Sequence, residues 1–211
     1  MQKLYISGLL GIIMMTATLS AVARPISYPG GIAPMVMNDG TSNSANIQYS
    51  PTATYSIGYT FEHFREDNFN LHALQVNNLL KRWNNPDSQG NLYLESGIGL
   101  SGKNEGVHPV AFTGAEADWE DRRFLVSYKN RYTTGQDIND FYMESARLGV
   151  APYIGEFGDL HTWLMVQVDH NPRAKDPVTV TPLVRLFKGT NLVEAGVSNQ
   201  GKILFNWMTQ F

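Results

Sequence analysis

The chain contains no cysteine among its 211 residues, which excludes a disulfide scaffold, a thiolate-ligated metal centre and thiol catalysis. Charged residues are also scarce, at 17%, and the formal net charge is −3. Because nucleic-acid binding requires a basic face, we expect no nucleic-acid partner. Beyond the N-terminal segment no stretch approaches 18 consecutive apolar residues, so the sequence predicts no membrane-spanning helix.

The first 23 residues have the pattern of a secretory signal peptide. Lys3 precedes an apolar run from Leu4 to Met15, and the segment ends in Ala21-Val22-Ala23, which has the small-residue form that signal peptidase accepts. We therefore expect an exported protein. The predicted organisation is a signal peptide over 1–23, a periplasmic lead-in over 24–31 and one domain over 32–211.

The remaining chain alternates between apolar and polar residues, as strands do. From Tyr55 to Phe61, for example, a large apolar side chain occupies every second position, and no comparable stretch shows helical spacing. The pattern predicts strands at about 32–38, 43–50, 54–64, 69–82, 90–100, 108–118, 122–132, 142–155, 159–170, 177–188, 191–198 and 201–211. The class is therefore all-β.

The spacing of the strands favours a closed barrel over a sandwich. Long polar connections at 101–107, 133–141 and 170–177 are separated by shorter turns, which is the layout of a transmembrane barrel with its long loops at one end. We predict a single antiparallel up-and-down barrel of twelve strands, with ten as the alternative count. Its apolar face points outward to lipid.

The C-terminus adds a more specific pattern. Ile203, Phe205, Trp207, Thr209 and Phe211 share one face of the last strand, and the chain stops on Phe211. This resembles the final strand of Gram-negative outer-membrane β-barrel proteins, although no subfamily is indicated. The resemblance implies an outer-membrane location, lipopolysaccharide as a neighbour, and Phe205, Trp207 and Phe211 as a signal read by the barrel-assembly machinery.

If apolar positions face lipid, the alternate positions face the lumen. The charged residues assigned there are Glu62, Glu95, Glu116, Asp118, Arg123, Lys129, Arg131, Arg147, Asp169, Arg185 and Glu194. Opposite charges in a confined space are expected to pair. The sequence therefore favours a small pore or channel-like protein for a small solute or ion, or a structural envelope barrel, with a charge-paired lumen.

Two other functions stay open. His63 and His72 flank a turn, and if they face each other they could bind copper or zinc, with Met35 and Met37 adding thioether ligands. A lipid-modifying enzyme would need a nucleophile and base such as Ser198 and His170, but the chain has neither G-x-S-x-G nor H-x-S. We expect no catalytic residues and no cofactor.

Overall fold

The computed structural model describes residues 24–103, 106–136, 138–156 and 158–211; the predicted signal peptide lies outside them. Twelve antiparallel strands form a closed barrel in which each strand pairs with its neighbours in sequence and β1 pairs with β12. The strands are β1 Ile32–Asn38, β2 Ser42–Tyr49, β3 Tyr55–Phe64, β4 Phe69–Asn84, β5 Ser88–Lys103, β6 Gly106–Asp121, β7 Phe124–Gly135, β8 Ile138–Val150, β9 His161–His170, β10 Val178–Lys188, β11 Asn191–Val197 and β12 Ile203–Thr209. This confirms the predicted fold class.

Alternation along each strand separates an apolar exterior from a largely polar interior. On β3, Ile57 and Tyr59 are exposed on the outside, whereas Ser56 and Thr60 are buried inside. A closed barrel pairs every strand edge, so its backbone groups are satisfied without water. Within the described ranges no helix is long and apolar enough to cross a membrane.

The connections differ from the expected layout. Strands continue through most of 101–107 and 133–141, because Lys103 pairs with Gly106 and Gly135 pairs with Ile138. The longest connection instead joins Val150 to His161, at the end of the barrel where both β1 begins and β12 finishes. We call this the terminal end and the opposite one the far end. The predicted layout, with short turns at one end and longer loops at the other, therefore does not hold, because strand pairing continues through the polar residues of these hairpins.

Two apolar clusters fill parts of the interior. The far-end cluster consists of Phe64, Phe69, Leu71, Ala73, Val110, Phe112, Ile138 and Phe141. The terminal-end cluster consists of Leu125, Ala151, Trp163, Met165, Leu183 and Leu204. Gly97 makes room for the first, since a Cβ there would lie 2.3 Å from the Phe112 ring. The side chains of these two clusters thus narrow the interior of the barrel.

The segment before β1 turns into the terminal end of the barrel. Arg24 and Ile26 are buried, and the Arg24 guanidinium lies 3.0 Å from a Glu120 carboxylate oxygen inside the wall. The Ser56 hydroxyl donates to the Pro25 carbonyl at 2.8 Å. Residues 24–31, which the sequence predicts as a periplasmic lead-in, partly occupy the terminal-end mouth.

Candidate functional site

A cavity of about 290 Å³, lined by polar and apolar side chains, lies between the two apolar clusters. All twelve strands contribute to its wall, which makes it the lumen of the barrel rather than a surface cleft. Its charged lining from the strand interiors comprises Glu62, Glu95, Glu116, Lys129, Arg131, Arg147, Asp169 and Glu194. These groups offer a solute hydrogen bonds and charge, beside apolar contacts from residues such as Met35 and Leu192.

One wall of the cavity is neutral. Six amide and hydroxyl side chains on β2, β3 and β4 form a continuous chain of hydrogen bonds at 2.7–3.0 Å, which runs from Gln48 through Asn46, Thr60, Gln75 and Asn77 to Ser56. Each of these groups has a partner within the chain, and the Ser56 hydroxyl donates onward to the Pro25 carbonyl, which avoids the cost of an unpaired buried polar group. This wall is pre-organised and offers no net charge.

Two ion pairs cross the lumen from β7. The Arg131 guanidinium donates to Glu62 on β3 at 2.7 Å, and the Lys129 ammonium donates to Glu95 on β5 at 2.8 Å. Glu116 on β6 is the direct cross-strand partner of Lys129. One lysine therefore faces two carboxylates, which leaves a local excess of negative charge.

A second charged group joins β8 to β11. Glu194 accepts from Arg185 at 2.6 Å and from Arg147 at 3.3 Å, and the Asn206 amide donates to it at 2.7 Å. Gln167 accepts from Arg147 at 2.7 Å and donates to Asp169 at 2.8 Å. The guanidinium groups and carboxylates thus share one connected network.

The predicted lumen charges have different fates. Asp118 is buried inside the barrel below the cavity, where the Asn91 amide donates to it at 2.7 Å. Arg123 is exposed in the turn between β6 and β7, so its assignment to the lumen is wrong. Alternation orients side chains only while the backbone stays extended, and the chain reverses direction at this position.

The strand register does not place the two histidines of the metal hypothesis opposite each other. Phe64 and Phe69 form the last pair of the β3–β4 hairpin, so His63 lies opposite Asn70 and His72 lies opposite Phe61, rather than opposite each other. Both histidines sit on the outer face, where the Tyr59 hydroxyl and His72 Nδ1 lie 2.6 Å apart.

The proposed sulfur ligands are separated from these histidines by the barrel wall. Met35 and Met37 line the lumen, whereas His63 and His72 face outward. Among the described residues no three His, Cys, Asp or Glu side chains converge on a point that could hold a metal ion.

The serine and histidine considered for an enzyme do not contact each other in the structure. Ser198 Oγ accepts backbone N–H groups of Gln200 and Lys202, whereas His170 Nδ1 lies 3.3 Å from Glu144 on the outer face. The serine and histidine thus have separate partners.

Sequence reasoning missed several ion pairs near the ends of the barrel, and the two with the most buried cations are the following. Arg24 pairs with Glu120 at the terminal end, and Arg173 pairs with Asp67 at the far end. All four residues lie at or near strand ends or in connections, where alternation carries no information. Their sequence separation gives no signal for the contact.

The fold is similar to that of several solved structures. No protein-family model matches the chain, and no curated protein sequence matches it. Among solved structures it is similar to a KdgM porin in complex with disordered oligogalacturonate, with a TM-score of 0.50, 10% identity, and coverage of 86% of this chain and 98% of that one. A second KdgM porin structure has a TM-score of 0.47 and 11% identity over 86% and 98% of the two chains. OccAB4 of Acinetobacter baumannii has a TM-score of 0.42 and 13% identity, over 84% of this chain and 57% of that one. The first of these likenesses shows that the chain shares the closed β-barrel fold of that KdgM porin.

Proposed function

We propose that the chain is an integral outer-membrane barrel that passes small polar solutes or ions through its lumen. The observation that carries this is the cavity of about 290 Å³ lined by side chains from all twelve strands. A chamber with both charged and amide groups offers a solute replacements for its hydration shell. In this arrangement the terminal end faces the periplasm and the far end faces outside the cell.

The exterior supports the membrane location. Leu74, Ile98, Leu148 and Ile203 are each more than 60% exposed on outward positions, which would be costly in water. Exposed Tyr and Trp rings on the same face fit the interfacial belts of membrane barrels. Outer-leaflet lipopolysaccharide would then contact the far end of this surface.

The neighbouring porin supports a solute-passing role for the fold. That porin has been seen with oligogalacturonate, an acidic oligosaccharide. In this chain the three cations that line the cavity, Lys129, Arg131 and Arg147, are each paired with a carboxylate. We therefore infer passage of small solutes or ions without assigning an acidic oligosaccharide as substrate.

Single-channel recording in a planar bilayer tests this proposal. Refolded wild-type protein should give discrete conductance steps. Arg147→Ala removes a cation from the cavity wall and should shift the reversal potential towards cation preference. Arg123→Ala removes the same charge from an exposed turn and should leave both conductance and selectivity unchanged.

The outcome separates a pore from a structural barrel. Absence of steps from wild-type protein and from every variant described below would overturn the pore and favour a structural envelope role, provided that the samples migrate differently on gels with and without boiling. Identical shifts for Arg147→Ala and Arg123→Ala would also contradict it, because only one of these side chains lines the lumen.

A further inference from the structure

The loop between β9 and β10 crosses the far mouth of the barrel. It leaves the wall diametrically opposite the turn between β3 and β4, because six strands separate the two connections in either direction. Nevertheless Arg173 Nε of the loop lies 2.5 Å from Asp67 Oδ2 of the turn. The contact is therefore a bridge over the lumen rather than a pairing between neighbours.

Arg173 is the main anchor of this bridge. Its side chain is only 13% exposed, and it also donates to the Asn139 carbonyl at 2.7 Å. The guanidinium carbon lies 4.8 Å from the Phe141 ring centroid and 5.6 Å from that of Phe69, within the range of cation–π attraction. The arginine thus joins the loop to the roof of the far-end cluster.

Glu66 supplies a second attachment from the same turn. Its carboxylate accepts the Lys175 backbone N–H at 2.9 Å and the Lys202 ammonium at 3.0 Å. Lys202 comes from the connection between β11 and β12, so two separate loops are tied to one turn. These are charge-assisted hydrogen bonds, which are stronger than neutral ones.

The loop is also ordered by its own backbone. The Asn171 N–H donates to the Pro177 carbonyl at 2.8 Å, and the Ala174 N–H donates to the Asn171 carbonyl at 3.0 Å. Asn171 lines the lumen cavity from above, together with Asp39 and Thr41 of the β1–β2 connection. These bonds hold residues 171–177 together as one folded segment above the cavity.

We propose that residues 171–177 form a latch that closes the far mouth of the pore, held by Asp67 and Glu66, and that solute passage requires its release. This inference rests on the proposed pore function. It assigns to Arg173 and Asp67 control over access to the lumen, while the charges of the cavity control selectivity. The latch is released when the Arg173–Asp67 bridge opens.

Thiol labelling measures access directly, because the chain has no cysteine of its own. Ser44→Cys places a single thiol on the cavity wall, and intact cells are treated from outside with a small, membrane-impermeant, cationic thiosulfonate. In this background Arg173→Gln and Asp67→Asn should each raise the labelling rate about tenfold, as expected for loss of a hydrogen bond between charged groups. Arg122→Gln is the matched control, since Arg122 is exposed and lies 3.9 Å from Glu156 at the terminal end, away from the latch.

A double variant tests whether the two residues act through one contact. Arg173→Gln combined with Asp67→Asn should label within about twofold of the single variants, because the second change removes nothing more. Unchanged labelling in the single variants, or multiplication of their effects in the double variant, would overturn the latch. If Arg173→Gln fails to fold, Asp67→Asn and Glu66→Gln carry the same comparison.

Conductance of the same proteins keeps the two proposals distinct. Absence of current from every variant would contradict the pore, whereas labelling reports access to the cavity whether or not ions cross the membrane. If wild-type protein conducts, and the Arg173→Gln and Asp67→Asn variants neither conduct more nor label faster than wild type, the latch alone is contradicted.

Discussion

Arg131 on β7 binds Glu62 on β3 across the lumen, with 2.7 Å between the guanidinium and the carboxylate. Four strand positions separate the two residues around the barrel, so the pair braces one wall against another. The same guanidinium lies 5.2 Å from the Phe112 ring centroid beneath the far-end cluster. This single side chain therefore links the charged middle of the lumen to its apolar roof.

Removing that brace should destabilise the barrel. Arg131→Ala leaves Glu62 buried without its cation, and breaking a buried pair in this way costs about 3 kcal/mol. Urea unfolding of protein refolded in lipid vesicles would measure the loss. Arg122→Ala, which removes an exposed cation, should change the free energy of unfolding little. Equal stability of Arg131→Ala and wild-type protein would show that the pair does not brace the wall.

The two carboxylates around Lys129 should set charge preference. Glu95 pairs with Lys129 at 2.8 Å and Glu116 is its cross-strand partner, so Glu116→Gln removes the local excess of negative charge. We expect the cation-to-anion permeability ratio to fall about two- to fivefold, the size expected for one nearby charge in a hydrated site. Reversal potentials across a salt gradient measure it. Glu156→Gln, an exposed carboxylate at the terminal end, should leave the ratio unchanged.

Local patterns were sufficient to predict the barrel. Alternation identifies strands and their two faces, because side chains leave a pleated strand on opposite sides. The strand boundaries are least accurate where polar residues join a hairpin, as at Lys103 and Gly106, since pairing with the next strand continues regardless of polarity. The turn at Arg123 shows the converse error, where alternation was extended beyond the strand.

The register between neighbouring strands and the contacts between distant strands could not be predicted from alternation. The residue opposite His63 depends on which residues close the hairpin. It is Asn70, and His72 lies two positions further along β4. The Arg173–Asp67 bridge depends in addition on the closure of the whole barrel. Neither register nor closure is encoded in the period of a single strand.

Acidification should loosen the attachment at Glu66. The hydrogen bond from the Lys202 ammonium holds the pKa of the Glu66 carboxyl below its ordinary value of 4.5. A lowered pKa stabilises the folded arrangement above pH 4.5, and the stabilisation is lost as the pH falls from 4.5 through the folded value. Asp67, Arg173 and Lys175 are the other charged residues of this contact.

Amide exchange at Lys175 measures this loosening, since that N–H is bound to Glu66. After correction for the intrinsic rate, its protection should hold at neutral pH and decrease in acid. Glu66→Gln should show low protection that varies little with pH, because no carboxylate titrates there. Protection of the wild-type amide equal to that in Glu66→Gln at neutral pH would contradict the role of Glu66.

Phe211 should matter more for assembly in cells than for the stability of the finished barrel. Its backbone N–H and carbonyl each pair with Ile32 at 2.9 Å across the closing seam, while its ring is 68% exposed. Phe211→Ala keeps the backbone pairing and removes only the ring that the assembly machinery is proposed to read. We expect a severalfold lower amount of folded barrel in outer membranes, with unchanged refolding into lipid vesicles. Phe124→Ala removes another exposed ring at the terminal end and should leave both amounts near wild type. Equal losses for the two variants would point to general loss of lipid contact instead of a C-terminal signal.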